Sequence, residues 1–383
     1  VGPNTSDDPR LLWSAILALA AAMGVGRFVY TPILPLMQSQ TGLDPEAGAH
    51  LATANYVGYL VGAVALSLAP GLTASRPLLR TSLVALVGSL ALMPATGPSG
   101  WLLLRLVAGI ASAVVFLAAV RVAVRATQNS PHRAGYAYAG VGSGIALSGL
   151  LVLLWGSSPW PFAWYSAAGC ALVLFVPLWI LHGRGEHTHS STVAPATRTT
   201  DGNAYVLLLI LYFLEGVGYI IAATFLVAAL SDTGLAWLGN TTWILVGLAA
   251  APSCVVWAYW SRRVPRPTLL VVALAVQTVA IALPGLTTQP AVVLLAALGF
   301  GGTFMGITTL TLGLGAELDL PRAAATLTAG YGFGQVLGPI VVQPTLGSGY
   351  RPALLIGGAI VFTATLLAVR LAVVTRTRQE AAA

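Results

Sequence analysis

Twelve apolar stretches, each about as long as a bilayer is thick, constrain this chain more than any other feature. A helix needs about 20 mostly apolar residues to cross the hydrocarbon core. Stretches that satisfy this run over roughly 11–38, 48–70, 77–95, 100–125, 132–155, 159–182, 204–230, 237–260, 267–286, 290–316, 321–346 and 350–374. Between them lie short breaks rich in Gly, Pro and Ser, such as Ala95–Gly100 and Thr287–Pro290, as turn chemistry requires. The runs are continuous rather than alternating, which excludes a β-barrel. Charged residues make up 8% of the chain and apolar ones 57%, against about 25% and about 45–50% in soluble domains. A cytosolic enzyme, a nucleic-acid binder and a disordered chain are thereby excluded. The fold class is an all-α membrane protein of twelve transmembrane helices. The polar start, Val1 to Arg10, lacks the basic beginning of a signal peptide.

All 18 basic residues are Arg, and with 11 acidic residues they give a net charge of +7. With the amino terminus placed in the cytoplasm, the inner segments hold Arg10, Arg76, Arg80, Arg121, Arg125, Arg133, Arg184, Arg198, Arg262, Arg263, Arg266, Arg322, Arg370, Arg376 and Arg378. The outer loops hold Arg351 alone. Cytoplasmic loops carry the excess of basic residues, so both termini are expected in the cytoplasm of a bacterial inner membrane. Trp101, Trp155, Trp160, Trp164 and Trp237 then fall at the outer interface, and Trp13, Trp179, Trp257 and Trp260 at the inner one. Cys170 and Cys254 lie in apolar stretches and read as small core residues.

The longest polar stretch, 183–203, divides the spans six and six. It reads as a cytoplasmic linker between an amino-terminal six-helix bundle (1–182) and a carboxy-terminal one (204–383). His182, His187 and His189 fit a solvated loop better than a metal site. The two sides match at an offset of about 190 residues. Gly24-Val25-Gly26 corresponds to Gly216-Val217-Gly218, Arg76-Pro77 to Arg266-Pro267, Pro94 to Pro284, and Arg133-Ala134 to Arg322-Ala323. The glycine pattern of 139–144 recurs over 329–334. Two homologous six-helix units are a transporter signature, with the substrate site between them near mid-membrane.

These features resemble the major facilitator superfamily over essentially the whole chain. Arg105-Leu-Val-Ala-Gly109 is similar to its fourth-helix motif, and Gly334-x3-Gly338-Pro339 to its Gly-Pro motif, displaced here to span eleven. Gly71 and Arg76 remain of the loop motif between helices two and three, where Ser75 stands at the usual Asp. Gly24-Val-Gly-Arg27-Phe-Val-Tyr30-Thr31-Pro32-x-Leu34-Pro35 and the run Gly218 to Leu226 resemble the YbfB/YjiJ group of bacterial transporters. The resemblance implies a major facilitator fold of two pseudo-symmetric bundles and alternating access, without fixing a substrate.

Spans three, six, nine and twelve carry no charge in their apolar cores, and only Gln277 stands out there. Spans one, four and seven carry Arg27, Arg105 and Glu215. A mid-bilayer charge costs at least about 2.5–3.5 kcal/mol, so it should face a cavity or a partner. Arg27 lies about 24 Å and Glu215 about 17 Å into their helices at 1.5 Å per residue. Glu215 is the candidate proton carrier, with Arg27 within reach as an exchanging partner; the competing reading is a permanent ion pair between the halves, or two charges each satisfied within its own half. Arg105 either snorkels toward the outer headgroups or is packed with a coupling role. Helical spacing places Met23, Arg27, Tyr30 and Leu34 on one face, and Tyr212, Glu215, Tyr219 and Ala222 on another. Tyr56, Tyr59, Trp243 and Gln335 complete the candidate substrate cavity.

No P-loop, haem ligand set, zinc spacing or nucleophile-base motif occurs, so no cofactor is expected and energy must come from an ion or substrate gradient. Three functions compete. One is proton-coupled export of small organic or amphipathic molecules by a monomer. Another is uptake or exchange of a small organic anion bound by Arg27. The third is a receptor that keeps the fold without transporting. Partners are then a small-molecule substrate, protons and the lipid bilayer, and no nucleic acid.

Overall fold

In the computed structural model, residues 7–155, 158–181, 202–232, 234, 236–318 and 323–382 are described. The expected linker up to residue 201 and its histidines, like Arg322, lie outside these residues, while Gly202 and Asn203, expected in the linker, already belong to the seventh helix. Twelve helical spans are long and apolar enough to cross a membrane: α1 Pro9–Thr41, α2 Pro45–Leu68, α3 Arg76–Ala95, α4 Pro98–Ala126, α5 Gly135–Leu154, α6 Trp160–Leu181, α7 Gly202–Ser231, α8 Trp237–Trp260, α9 Arg266–Leu286, α10 Pro290–Glu317, α11 Ala323–Ser348 and α12 Arg351–Thr377. No strand occurs among the described residues.

The breaks in the sequence become helix caps. Asp8 accepts hydrogen bonds from the backbone N–H groups of Arg10 (2.9 Å) and Leu11 (3.3 Å). Asp44 caps α2 through Ala47 (2.7 Å) and Ser75 caps α3 through Leu78 (3.3 Å). Proline stands in the first turn of several spans, where its missing N–H costs nothing. Gly42 closes α1 in the left-handed region, at φ 71°.

Among the first six helices, α1 packs on α4, α5 and α6, and α2 on α4. Among the last six the pattern recurs, with α7 on α11 and α8 on α10. The repeat is visible in a close glycine contact found in both sets. A Cβ added to Gly24 of α1 would lie 2.3 Å from the Gly144 Cα of α5, and one added to Gly334 of α11 would lie 2.4 Å from the Phe213 carbonyl of α7. Helices approach this closely only over glycine. The two sets meet mainly where α5 lies on α8, α2 on α11, and the second part of α1 on α7. Exposed apolar side chains such as Val84, Phe162, Leu172, Val276 and Phe362 lie on α3, α6, α9 and α12, the faces left to lipid.

Three of the tryptophans expected at the interface belts face the bundle interior. Trp101, Trp164 and Trp257 are buried in the bundle. Trp101 and Trp257 donate to the carbonyls of Met93 and Gly302 (2.8 and 2.7 Å), while Trp164 packs on Arg105. Trp13, Trp155, Trp237 and Trp260 are exposed, as a belt requires.

The first span is not one helix. Regular α-helix over Pro9–Leu19 gives way to π-helix over Ala20–Val25, then to turns, and resumes over Tyr30–Thr41. Pro32 and Pro35 supply no N–H to the preceding turn. The Thr31 N–H bonds the Phe28 carbonyl at 3.2 Å, which deprives the Arg27 carbonyl of its usual partner.

Candidate functional site

The broken stretch of α1 carries Arg27 to the seam between the two sets of helices. Its side chain is buried, 3% exposed. One Nη2–H donates to the Gln335 side-chain oxygen of α11. The guanidinium lies 4.3 Å from the Tyr59 ring centroid, 5.0 Å from Tyr56 and 5.4 Å from Phe28. Aromatic faces attract a cation held this way, and Nε has no hydrogen-bond partner. The Arg27 side chain is thus held by a neutral amide and aromatic rings, with its Nε–H left unpaired.

Arg105 settles against the snorkelling alternative. It is 1% exposed and donates through Nη2 to the Arg27 carbonyl (3.2 Å) and through Nη1 to the Gly26 carbonyl (3.5 Å). The guanidinium therefore supplies a donor that the interrupted helix lost. Ser112, two turns along α4, does the same for the Ala22 carbonyl at 3.1 Å. Tyr30 belongs with Arg105 rather than Arg27. Its ring lies 4.9 Å beneath the Arg105 guanidinium, and its hydroxyl donates to the Gly48 carbonyl at 2.8 Å. The turn after the π-helix rotates Arg27 and Tyr30 apart, so the shared face expected from regular spacing does not form.

Glu215 is fully buried in α7, and neither carboxyl oxygen has a hydrogen-bond partner. No ion pair joins it to an arginine among the described residues. Gln277 of α9 faces the carboxyl, yet its amide atoms are also without a well-formed hydrogen bond. In this conformation Arg27 is committed to Gln335 instead of Glu215.

Aromatic rings join the two charged centres. Tyr331 of α11 stacks on Tyr212 (centroids 4.5 Å apart) and lies 5.9 Å from Tyr219. Tyr219 stacks on Phe304 at 4.7 Å, and Phe304 meets Phe28 edge-on at 6.3 Å. Phe28 in turn meets Trp243, whose indole N–H donates to Ser148 across the α5–α8 seam at 3.1 Å. Sequence reasoning missed Phe28, Phe304, Tyr331 and Thr224. Tyr331 carried a signal, since it lies in the glycine pattern shared with span five.

One end of the seam is closed by hydrogen bonds. Thr31 donates to the Ala223 carbonyl (2.5 Å), Tyr56 bonds Thr224 (2.7 Å), and Gln38 donates to the Tyr350 hydroxyl. Toward the other end a cleft of about 510 Å³ opens between α5 and α8, lined by Tyr138, Cys254, Tyr259 and Arg262 among others.

The fold and site define a polytopic transporter of the major facilitator type. The chain belongs to the family described as uncharacterised MFS-type transporter YbfB, which matches residues 19–369. It is thus a multi-pass membrane protein and a secondary transporter, not an enzyme. Its fold is similar to that of a point mutant of the nucleoside transporter NupG, with a TM-score of 0.74 and 13% identity over 94% of this chain and 99% of that one. A second NupG structure matches with a TM-score of 0.69 and 15% identity, covering 95% and 99%. No curated protein sequence matches the chain.

Proposed function

We propose that the protein is a proton-coupled secondary transporter of small organic anions, with Arg27 receiving the anionic group and Glu215 carrying the proton. The observation that carries this reading is the seam position of Arg27, whose side chain, among the described residues, meets no carboxylate and hydrogen-bonds neutral Gln335 across the seam. A planar guanidinium suits carboxylate recognition. Buried Glu215 without a counter-charge suits a group that crosses the membrane cycle neutral and reionises when exposed. The halves 1–182 and 204–383, joined by 183–203, would rock about the seam. The closed end would face outward and the α5–α8 cleft the cytoplasm, with a monomer in a bacterial inner membrane and both termini inside.

The aromatic column supports a second reading, proton-driven export of flat amphipathic molecules. Nucleosides, the cargo named for the structural neighbours, belong in the same panel. Counterflow and pH-driven uptake by proteoliposomes, using planar carboxylates, nucleosides and amphipathic cations, separate these readings. Arg27→Lys should abolish anion transport, and Glu215→Gln should abolish proton-driven accumulation while counterflow persists. Accumulation by Glu215→Gln at the native level would refute the coupling role. Single cysteines at Ser158 and Ser261 should label from opposite faces, since three crossings separate them.

A further inference from the structure

We infer that Tyr331 and Gln335 form a relay tying the charge state of Glu215 to the grip of Gln335 on Arg27. The inference rests on the reading of Glu215 as proton carrier.

The geometry begins with two neighbours on α7. Tyr212 and Tyr219 flank Glu215 by about one turn on either side, and Tyr331 stacks against both rings. The backbone beside Glu215 is equally close to Tyr331: a Cβ on Gly216 would lie 2.6 Å from the Tyr331 carbonyl oxygen. Tyr331 therefore covers the stretch that bears the carboxyl. Gln335 lies four residues on, on the same face of α11, and its oxygen accepts the Arg27 hydrogen bond. The Tyr331 hydroxyl is beside the Gln335 side chain and within electrostatic reach of Glu215. The groups facing Glu215 are Tyr212 and Tyr219 from α7, Tyr331 from α11 and Gln277 from α9.

Tyr331 Oη, both Glu215 oxygens and both polar atoms of Gln277 are buried without hydrogen bonds. Native structures rarely leave buried polar atoms unpaired, and each instance calls for an explanation. Here the unpaired atoms gather around Glu215, the one buried carboxyl among the described residues, and a proton completes them. An ionised carboxyl only accepts, whereas a protonated one carries its own donor. Ionised Glu215 accepts a hydrogen bond from the Tyr331 hydroxyl, which leaves the Gln335 oxygen to Arg27. Protonated Glu215 donates to the Gln277 oxygen and releases Tyr331, whose hydroxyl turns to Gln335 and competes with Arg27. One proton enters at Glu215, and none moves along the tyrosine; only the acceptors change hands. Protonation thereby loosens the seam at the substrate-binding arginine.

The test needs no substrate. Spin labels at Ser67 and Thr328, on opposite sides of the α2–α11 cleft, report seam width in the full chain in nanodiscs, with Cys170 and Cys254 replaced by Ala. The separation should change across a pH midpoint in the parent protein, and Glu215→Gln should remove that response. Tyr331→Phe keeps the ring stack and Gln335→Met keeps the length, and each should move the midpoint by about one pH unit, the tenfold effect of one ordinary hydrogen bond. If both retain the parent midpoint while Glu215→Gln is unresponsive, the relay is wrong and the carrier stands. A normal response in Glu215→Gln, or none in the parent, removes the carrier and the relay with it. Should Gln335→Met fail to fold, Tyr331→Phe alone decides.

Discussion

The contact between α5 and α8 provides a sharp test, because one added methyl group meets only backbone. A Cβ on Gly247 would lie 2.1 Å from Ala146 N, 2.6 Å from Gly142 O and 2.7 Å from Ala146 Cα. Carbon contacts settle near about 3.5 Å, so in Gly247→Ala the helices must part by roughly 1 Å or more. Overpacking of this kind costs about 1–3 kcal/mol, which shifts a two-state equilibrium by about 5–150-fold. The loss falls on the conformation in which α5 and α8 touch, and it also strains the Ser148–Trp243 hydrogen bond nearby. Gly88→Ala is the matched control. Nothing lies within 4 Å of its added Cβ, so only helix propensity acts, worth up to about 1 kcal/mol in the stabilising direction. Thermal unfolding of both variants in one detergent should therefore give opposite signs. A Gly247→Ala protein as stable as Gly88→Ala would show that α5 and α8 do not meet backbone to backbone.

Arg105→Met should destabilise the protein by about 2–4 kcal/mol, because two carbonyls lose a charged donor; Arg105→Lys should recover less than half, since an ammonium lacks the fork that spans both. Thermal melts decide, and a neutral Arg105→Met would restore the snorkelling reading. Glu215→Gln should change stability by no more than about 1 kcal/mol, as no formed hydrogen bond is broken. A loss of about 3–5 kcal/mol would instead indicate a buried ion pair. Ser148→Ala strands the Trp243 N–H and should cost about 1–3 kcal/mol, with a red shift of Trp243 emission if the seam opens there.

The spans were legible because hydropathy and cap residues act locally: Asp8, Asp44 and Ser75 mark helix starts whatever surrounds them. The repeat was legible because Gly24 and Gly144 recur as Gly216 and Gly334 wherever helices must nearly touch. The partner of Arg27 was not. Scanning for charges leads to Glu215, whereas the structure joins Arg27 to an uncharged amide 308 residues away. The same limit applies to Arg105: its distance from Trp101 suggests an interface, but its real partners are carbonyls exposed by a π-helix in another span. Pro32 and Pro35 signal irregularity in span one without fixing where the register slips, so regular helical spacing places Tyr30 with Arg27.

The interruption in α1 has a mechanical consequence. Its first segment is seated among α4, α5 and α6, whereas Tyr30–Thr41 also packs on α7, where Thr31 pins it, while keeping contacts with α2, α5 and α6. One continuous span is thus anchored to two bodies, with residues 26–29 as the joint. If those bodies rock, torque concentrates at the joint, and Arg27 sits on it. Under the proposed function, a cargo held by Arg27 would ride at the fulcrum rather than at the end of a lever. Small changes in grip there would act on the joint itself, which Arg105 braces through the Gly26 and Arg27 carbonyls.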